Sequence, residues 1–206
     1  MNPVEMYFID HYDSFSYNVI DWLIAGEIQI KVIHLQCDDE QAMKRIYQRP
    51  LPVVISPGPR HPKDALATTR LVHDFLGKVP ILGVCLGHQI LGSIGGFAIE
   101  KASHPFHGST LEITVQNPGI LFNGVPANFS AATYNSLVVK LDPMNKPAIN
   151  WMVNAVNQYG EIQGLTWTKD KEQSAFGVQF HPESFLTEEK LRLRQNWIGV
   201  VERFQK

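Results

Sequence analysis

Cys85 closes an apolar run, Ile81-Leu82-Gly83-Val84, and has a glycine two residues away on either side, Gly83 and Gly87. A thiol in Gly-x-Cys-x-Gly between a strand and a helix is the sulfur counterpart of the Gly-x-Ser-x-Gly elbow, where a nucleophile sits on a sharp, strained turn. Such a turn leaves no room for β-carbons two residues before or after it, and the two glycines meet that demand. The N-terminus of the following helix adds positive potential, which favours thiolate over thiol. The first free amide of that helix, at Leu86, is placed to donate to a developing oxyanion. On the pattern alone Cys85 reads equally as a small buried hydrophobe, because free cysteine is among the most buried residue types. Cys37 lacks such flanks and reads as packing.

A thiolate attacking an amide needs a proton donor for the leaving ammonia. Phe176-Gly177-Val178-Gln179-Phe180-His181-Pro182-Glu183-Ser184 supplies a candidate in His181. The strand is expected to end there, since Pro182 cannot donate to a central ladder. In extended chain i and i+2 share a face, so Glu183 can orient the His181 ring and raise its basicity. An ordinary strand-end histidine beside a solvated glutamate is the competing reading. A third stretch, Ser56-Pro57-Gly58-Pro59-Arg60, holds a glycine between two prolines at what should be the carboxyl edge of a sheet. Open parallel sheets place ligands at that edge, and a rigidly presented Gly58 amide suits an oxyanion. A plain proline-rich connector fits the same letters.

Strand-like and helix-like segments alternate through the first half. Val4 to Ile9 reads as a buried strand, followed by a turn at 11–14 whose Asp13 or Ser14 caps a helix reaching Ala25. Ile28 to Leu35 reads as the second strand, and Asp38 or Asp39 caps a helix through Tyr47. Val53 to Ser56 is the third strand, Ala65 to Leu76 a helix, Ile81 to Val84 the fourth strand and Leu86 to Ile94 its helix. The second half reads as β-stretches at 111–115, 128–132, 137–141, 151–156, 162–168 and 175–180, expected to join as antiparallel additions. The tail from Glu188 to Phe204 reads as an amphipathic helix with Leu191, Ile198, Val201 and Phe204 on its apolar stripe. The fold class is therefore α/β, a largely parallel mixed sheet flanked by helices, in one domain spanning 1–206.

Composition narrows the function classes. Of 206 residues 44% are hydrophobic and 18% charged, which argues for a globular core and against disorder. The net charge of -2 and the lack of any Lys/Arg cluster argue against nucleic-acid binding. No apolar run is long enough to span a bilayer and no signal peptide is evident, so no membrane association is expected. Two thiols in such a chain suit a reducing cytoplasm. The eight histidines are scattered, and His104 with His107 lacks neighbouring Cys or carboxylate ligands, so no metal site is expected. His88 reads as structural. No phosphate-binding glycine loop is present.

Taken together, Ser56-Pro57-Gly58-Pro59, Gly83-Val84-Cys85-Leu86-Gly87-His88-Gln89 and Gly177-Val178-Gln179-Phe180-His181-Pro182-Glu183-Ser184 resemble, in order and spacing, the class I (triad-type) glutamine amidotransferases. The stretch from Asp10 to Asn18 resembles the opening of the glutaminase component of anthranilate and para-aminobenzoate (aminodeoxychorismate) synthases, and Ala132 to Leu137 resembles that group's Tyr-His-Ser-Leu segment. The resemblance implies Cys85 as nucleophile, His181 and Glu183 as the rest of a triad, and Gly58 and Leu86 amides as the oxyanion hole. It implies substrate binding by Gly58, Pro59, Arg60 and Gln89 and by the backbone of Ser136 and Leu137. The implied substrate is L-glutamine, with ammonia passed to a separate chorismate-using synthase subunit, since this length leaves no room for a synthase domain. It implies no cofactor for this chain; any magnesium requirement falls to the synthase. Arg60 stands where the family usually has glycine, Asn135 where it has histidine, and Ser109 where it has lysine. Two other readings stay open. One is a γ-glutamyl hydrolase-like or peptidase-like cysteine hydrolase, the other a degenerate regulatory subunit that binds its partner without turnover.

Overall fold

The computed structural model describes residues 3–103, 108–144, 146–169 and 172–206. His104 and His107 lie outside them. Strands and helices alternate first: β1 (Val4–Asp10), α1 (Ser16–Ile24), β2 (Ile30–Gln36), α2 (Glu40–Gln48), β3 (Val53–Ile55), α3 (Leu66–Phe75), β4 (Ile81–Val84) and α4 (Leu86–Ile94), with one 3-10 turn (Pro62–Asp64) before α3. Seven strands and a last helix follow among the described residues: β5 (Ala98–Lys101), β6 (Ser109–Val115), β7 (Asn128–Thr133), β8 (Leu137–Lys140), β9 (Trp151–Asn157), β10 (Ile162–Lys169), β11 (Glu172–Val178) and α5 (Lys190–Phe204). These strands join one eleven-stranded sheet in the order β2-β1-β3-β4-β11-β10-β9-β6-β7, with β8 pairing to both β10 and β5.

The early strands are apolar throughout because helices cover both sides of the sheet. Met6, Phe8, Val54, Leu82 and Val84 meet Val19 and Leu23 of α1 and Trp197 of α5. The alternate residues Tyr7, Ile9, Val53, Ile55 and Ile81 meet Met43 and Ile46 of α2, Leu71 of α3 and Leu86 and Ile90 of α4. Side chains on successive strand residues point to opposite faces, so each strand supplies both cores. Asp39 caps α2 as expected, its carboxylate accepting from the Gln41 and Ala42 amides, both at 3.0 Å.

Several sequence expectations need correction. Neither Asp13 nor Ser14 caps α1, which starts at Ser16 after Phe15; the Asp13 carboxylate instead accepts the Phe15 amide at 2.8 Å in a local turn. β11 is not simply an antiparallel addition: it is antiparallel to β10 but parallel to β4, and it ends at Val178. β5 was not foreseen; its sequence, Ala-Ile-Glu-Lys, carries no apolar run, and it exists by pairing with β8. On α5 the stripe is rotated, with Leu191 65% and Phe204 41% exposed, while Leu193, Trp197, Ile198 and Val201 are buried. Trp197, the largest fully buried side chain, sets that rotation, and its neighbours at i±4 follow it inward.

The elbow between β4 and α4 has the backbone its spacing predicts. Cys85 has φ 51° and ψ -98°, a region that costs free energy for any residue with a β-carbon. A β-carbon on Gly83 would lie 2.4 Å from the Gly87 carbonyl carbon, and one on Gly87 2.6 Å from the Ile55 oxygen. These are backbone obstacles, so no side-chain adjustment relieves them. Gly83→Ala is expected to lower stability by about 3 kcal/mol, read as a lower urea midpoint with unchanged m. Beneath the elbow, fully buried His88 donates from Nε2 to the Ile162 carbonyl at 3.1 Å. Burial lowers its pKa from 6.5 to about 4, against the opposing pull of the Ile162 and Gly177 backbone. The unfolded chain takes this proton near pH 6.5 and the folded chain resists it until about 4. The contribution of neutral His88 is therefore whole above pH 6.5 and declines as pH falls towards 4. A fall of Tm over that window is expected, made shallower by His88→Leu.

Candidate active site

β4 and β11 lie side by side in parallel with Gly83 opposite Gly177 and Val84 opposite Val178. Their carboxyl ends therefore emerge at one sheet edge. The Cys85 amide donates to the Val178 carbonyl at 2.9 Å, so the elbow is fastened to the chain that continues through Gln179 to His181. Beyond β11, the His181 amide donates to the Ala132 carbonyl at 2.9 Å, and the Thr187 hydroxyl donates to the His181 carbonyl at 2.7 Å. The Ala132 amide in turn donates to that hydroxyl oxygen at 3.1 Å. These bonds hold the histidine against the end of β7.

The His181 ring sits between two partners. Nδ1 pairs with Glu183 Oε1 at 2.6 Å, with side chains only 2% and 1% exposed. Cys85 lines the same cavity wall as the ring, and its sulfur is among the groups that raise the ring's pKa. Burial works against the charged imidazole, but Cys85 and Glu183 outweigh it and raise the pKa from 6.5 to about 10. A carboxylate that anchors one ring nitrogen leaves the other for the sulfur. Two aromatic rings enclose the imidazole: Tyr134 at 4.8 Å and Phe15 at 5.4 Å between centroids, stacked on one another at 4.7 Å.

A cavity of about 590 Å³ opens above the sulfur. Its wall brings together Cys85, His181, Gly58, Pro59, Arg60, Gln89, Ser136 and Leu137, all of which the sequence nominated. The other two nominees lie behind that wall, Leu86 fully buried beneath the elbow and Glu183 screened by His181. Such a volume falls within the ~300–1,000 Å³ typical of small-molecule sites.

The loop after β3 is braced from β1. The Ser56 hydroxyl accepts the His11 amide at 2.8 Å and donates to the Pro57 carbonyl at 2.5 Å. His11 Nε2 meets the Thr68 hydroxyl at 3.1 Å, and burial lowers its pKa to about 4. A β-carbon on Gly58 would lie 2.6 Å from Leu86 Cδ2 and 2.8 Å from His11 Cβ, so glycine lets this loop rest on the elbow helix. Leu86 is the first residue of α4, where a helix has no acceptor of its own for the amide. Asp10, at the end of β1, accepts from the Tyr12 amide at 2.9 Å and the Ser16 hydroxyl at 2.5 Å and pairs with His34 at 2.9 Å. This arrangement sets the turn that carries Phe15 to His181.

On the far wall, Gln89 Nε2 donates to the Leu137 carbonyl at 2.9 Å, and the Asn135 side-chain Nδ2 donates to the same oxygen at 2.9 Å. Asn135 thus fastens its own turn from inside the pocket lining, whereas Ser109 begins β6 opposite Thr133, away from the pocket lining. Arg60 and Asp13 bring opposite charges to the rim. Sequence reasoning did not single out Phe15, Tyr134 or Gln179. Gln179, buried and two residues before His181, had a legible signal, since i and i+2 share a face. The two aromatic contacts cross between distant segments and left no local pattern. Among the described residues, no group of three or more His, Cys, Asp or Glu is placed to hold a metal ion, and no helix is long and apolar enough to cross a membrane.

Known proteins resemble the chain along nearly all its length. The anthranilate synthase component 2 of Pseudomonas putida is 37% identical over 193 residues, 92% of this chain and 94% of that protein. The aminodeoxychorismate synthase component 2 of Klebsiella aerogenes is 34% identical over 191 residues, covering 93% and 97%. The bifunctional protein TrpGD of Thermotoga maritima is 40% identical over 195 residues, 93% of this chain but 31% of that longer protein. Among solved structures, a glutamine amidotransferase from Thermotoga maritima shares the fold, with TM-score 0.69 at 18% identity, covering 98% of this chain and 84% of that one. Residues 7–200 match the family described as glutamine amidotransferase class-I, and the chain belongs to that family.

Proposed function

We propose that this chain is a glutaminase subunit that hydrolyses L-glutamine and delivers ammonia to a chorismate-using synthase subunit making anthranilate or 4-amino-4-deoxychorismate. The observation that carries the reading is that Cys85 and His181, the latter held by Glu183, line one pocket sized for a small molecule. The opposite charges of Arg60 and Asp13 at the rim suit the carboxylate and ammonium of an amino acid. Relatives named for both synthases support the pathway and leave the choice between the two products to the partner.

In this reading the Cys85 sulfur attacks the side-chain amide carbon of glutamine. The carbonyl oxygen takes up negative charge, and the amides of Gly58 and Leu86 donate to it. The C–N bond breaks as the His181 imidazolium gives its proton to the leaving nitrogen, which departs as ammonia. A γ-glutamyl thioester remains on Cys85. His181, now neutral, takes a proton from water, the resulting hydroxyl attacks the thioester, and glutamate leaves as the thiolate is restored. Gln89 and the Ser136–Leu137 backbone hold the amino-acid end of the substrate. No cofactor enters these steps, and any magnesium requirement lies with the synthase. Two unpaired cysteines suit a reducing cytoplasm.

Cys85→Ser is expected to reduce glutamine hydrolysis by at least ~1,000-fold while the complex with the synthase subunit still uses ammonium. Retention of glutamine-dependent synthesis in that variant contradicts the assignment. A preference for γ-glutamyl peptides over glutamine in the unmodified protein would instead point to a γ-glutamyl hydrolase. Glu183→Gln removes the negative charge that helps hold the His181 proton, so its pKa falls and the alkaline limb of the kcat–pH profile moves to lower pH. A drop in kcat of roughly tenfold to a hundredfold at neutral pH accompanies it.

A further inference from the structure

Gln179 is fully buried, and its side-chain nitrogen lies 3.6 Å from the Cys85 sulfur, a hydrogen-bond distance for sulfur. Its oxygen lies 3.3 Å from Gln89 Nε2, which also stands 2.9 Å from the Leu137 carbonyl. The orientations of both amides follow from the far end of this chain of contacts. A backbone carbonyl only accepts, so Gln89 must turn its nitrogen towards Leu137. That nitrogen then also faces Gln179, which must answer with its oxygen. The nitrogen of Gln179 is thereby left to face the sulfur, whether the sulfur is protonated or not.

We propose that Gln179 is a catalytic residue whose amide donates to Cys85 Sγ, holds the sulfur as thiolate, and ties it to the substrate-holding Gln89. The proposal rests on the reading of Cys85 as nucleophile. Cys85 is only 7% exposed, so water supplies little of the solvation that a thiolate needs. His181 donates from one direction and Gln179 from another. Two donors on one buried sulfur stabilise negative charge more than either alone. The arrangement also gives Gln89 two tasks. Its nitrogen is committed to Leu137 and Gln179, which leaves its oxygen, on the pocket wall, for the substrate's ammonium. A substrate that pulls on Gln89 therefore pulls on the group that donates to the nucleophile. The other ionisable groups facing this pocket are His181 with its partner Glu183, Tyr134 against the His181 ring, and Asp13, Arg60 and His61 at the rim. None of them is altered in the variants below.

The test is the pH dependence of Cys85 carbamidomethylation by iodoacetamide, followed by mass spectrometry of the peptide that carries Cys85. That readout excludes Cys37 and needs no glutamine turnover. In Gln179→Leu the rate limb that marks thiolate formation is expected to move up by about one pH unit, slowing labelling about tenfold below the limb. Gln179→Met keeps the length of the side chain while removing the donor and adding no charge. It is expected to move the limb in the same direction, and it carries the test if the leucine variant fails to fold. A limb that stays in place in a folded variant with reactive Cys85 overturns the proposal. Glutamine hydrolysis that survives Cys85→Ser would instead overturn the nucleophile reading, and the limb would still report whether Gln179 touches the sulfur.

Discussion

The parallel pairing of β4 with β11 is the constraint from which the site follows. These strands belong to distant parts of the chain, yet Val84 lies opposite Val178 and the Cys85 amide reaches the Val178 carbonyl. A strand repeats every ~3.3 Å, and a slip of one residue would turn every side chain to the other face. The register therefore decides both how far the sulfur is from the imidazole and which side of the sheet each occupies. Glycine stands at both members of the neighbouring pair, Gly83 and Gly177. The first clears the elbow helix and the second clears His88, whose Nδ1 would lie 2.6 Å from a β-carbon there. The close approach of strand, elbow and buried histidine is thus written as missing side chains.

Around that pairing the molecule accepts costs and offsets them locally. Cys85 adopts a disfavoured backbone conformation, and the bond to Val178 with the packing of Gly87 on Ile55 holds it there. Glu183 and His181 are withdrawn from water almost completely, which is tolerable because each is the other's partner. The rings of Phe15 and Tyr134, stacked on each other and both edge-on to the imidazole, complete the enclosure. His11 and His88 show the contrasting solution, a buried imidazole kept neutral by desolvation and used as a spacer and hydrogen-bond donor or acceptor. The same residue type is charged at the sulfur and uncharged one layer away.

Much of this was legible in the residues, for identifiable reasons. The elbow forces a local geometry, so β4 and α4 fall at Ile81–Val84 and Leu86–Ile94, as read from the glycine spacing. His181 and Glu183 do meet, but across a turn that the Ser184 amide closes on the His181 carbonyl, not along the extended chain from which their pairing was read. What escaped was set by distant partners. β5 carries no apolar signature because its order comes from β8, and β11 pairs in both directions because its neighbours arrive from opposite ends of the sequence. On α5 the periodicity allowed more than one buried face, and the bulk of Trp197 chose between them. Phe15 and Tyr134 belong to the stretches that resemble the chorismate-linked group, but their stacking against His181 is a contact that only the folded chain reveals.

In the proposed reaction His181 activates the Cys85 sulfur within the pocket that takes glutamine. Labelling with a glutamine analogue bearing an electrophilic group at the side-chain carbonyl position tests it most directly. A single adduct on Cys85 is expected, formed much more slowly in His181→Ala and suppressed by excess L-glutamine. An adduct on Cys37, or labelling of Cys85 at an undiminished rate without His181, would contradict it.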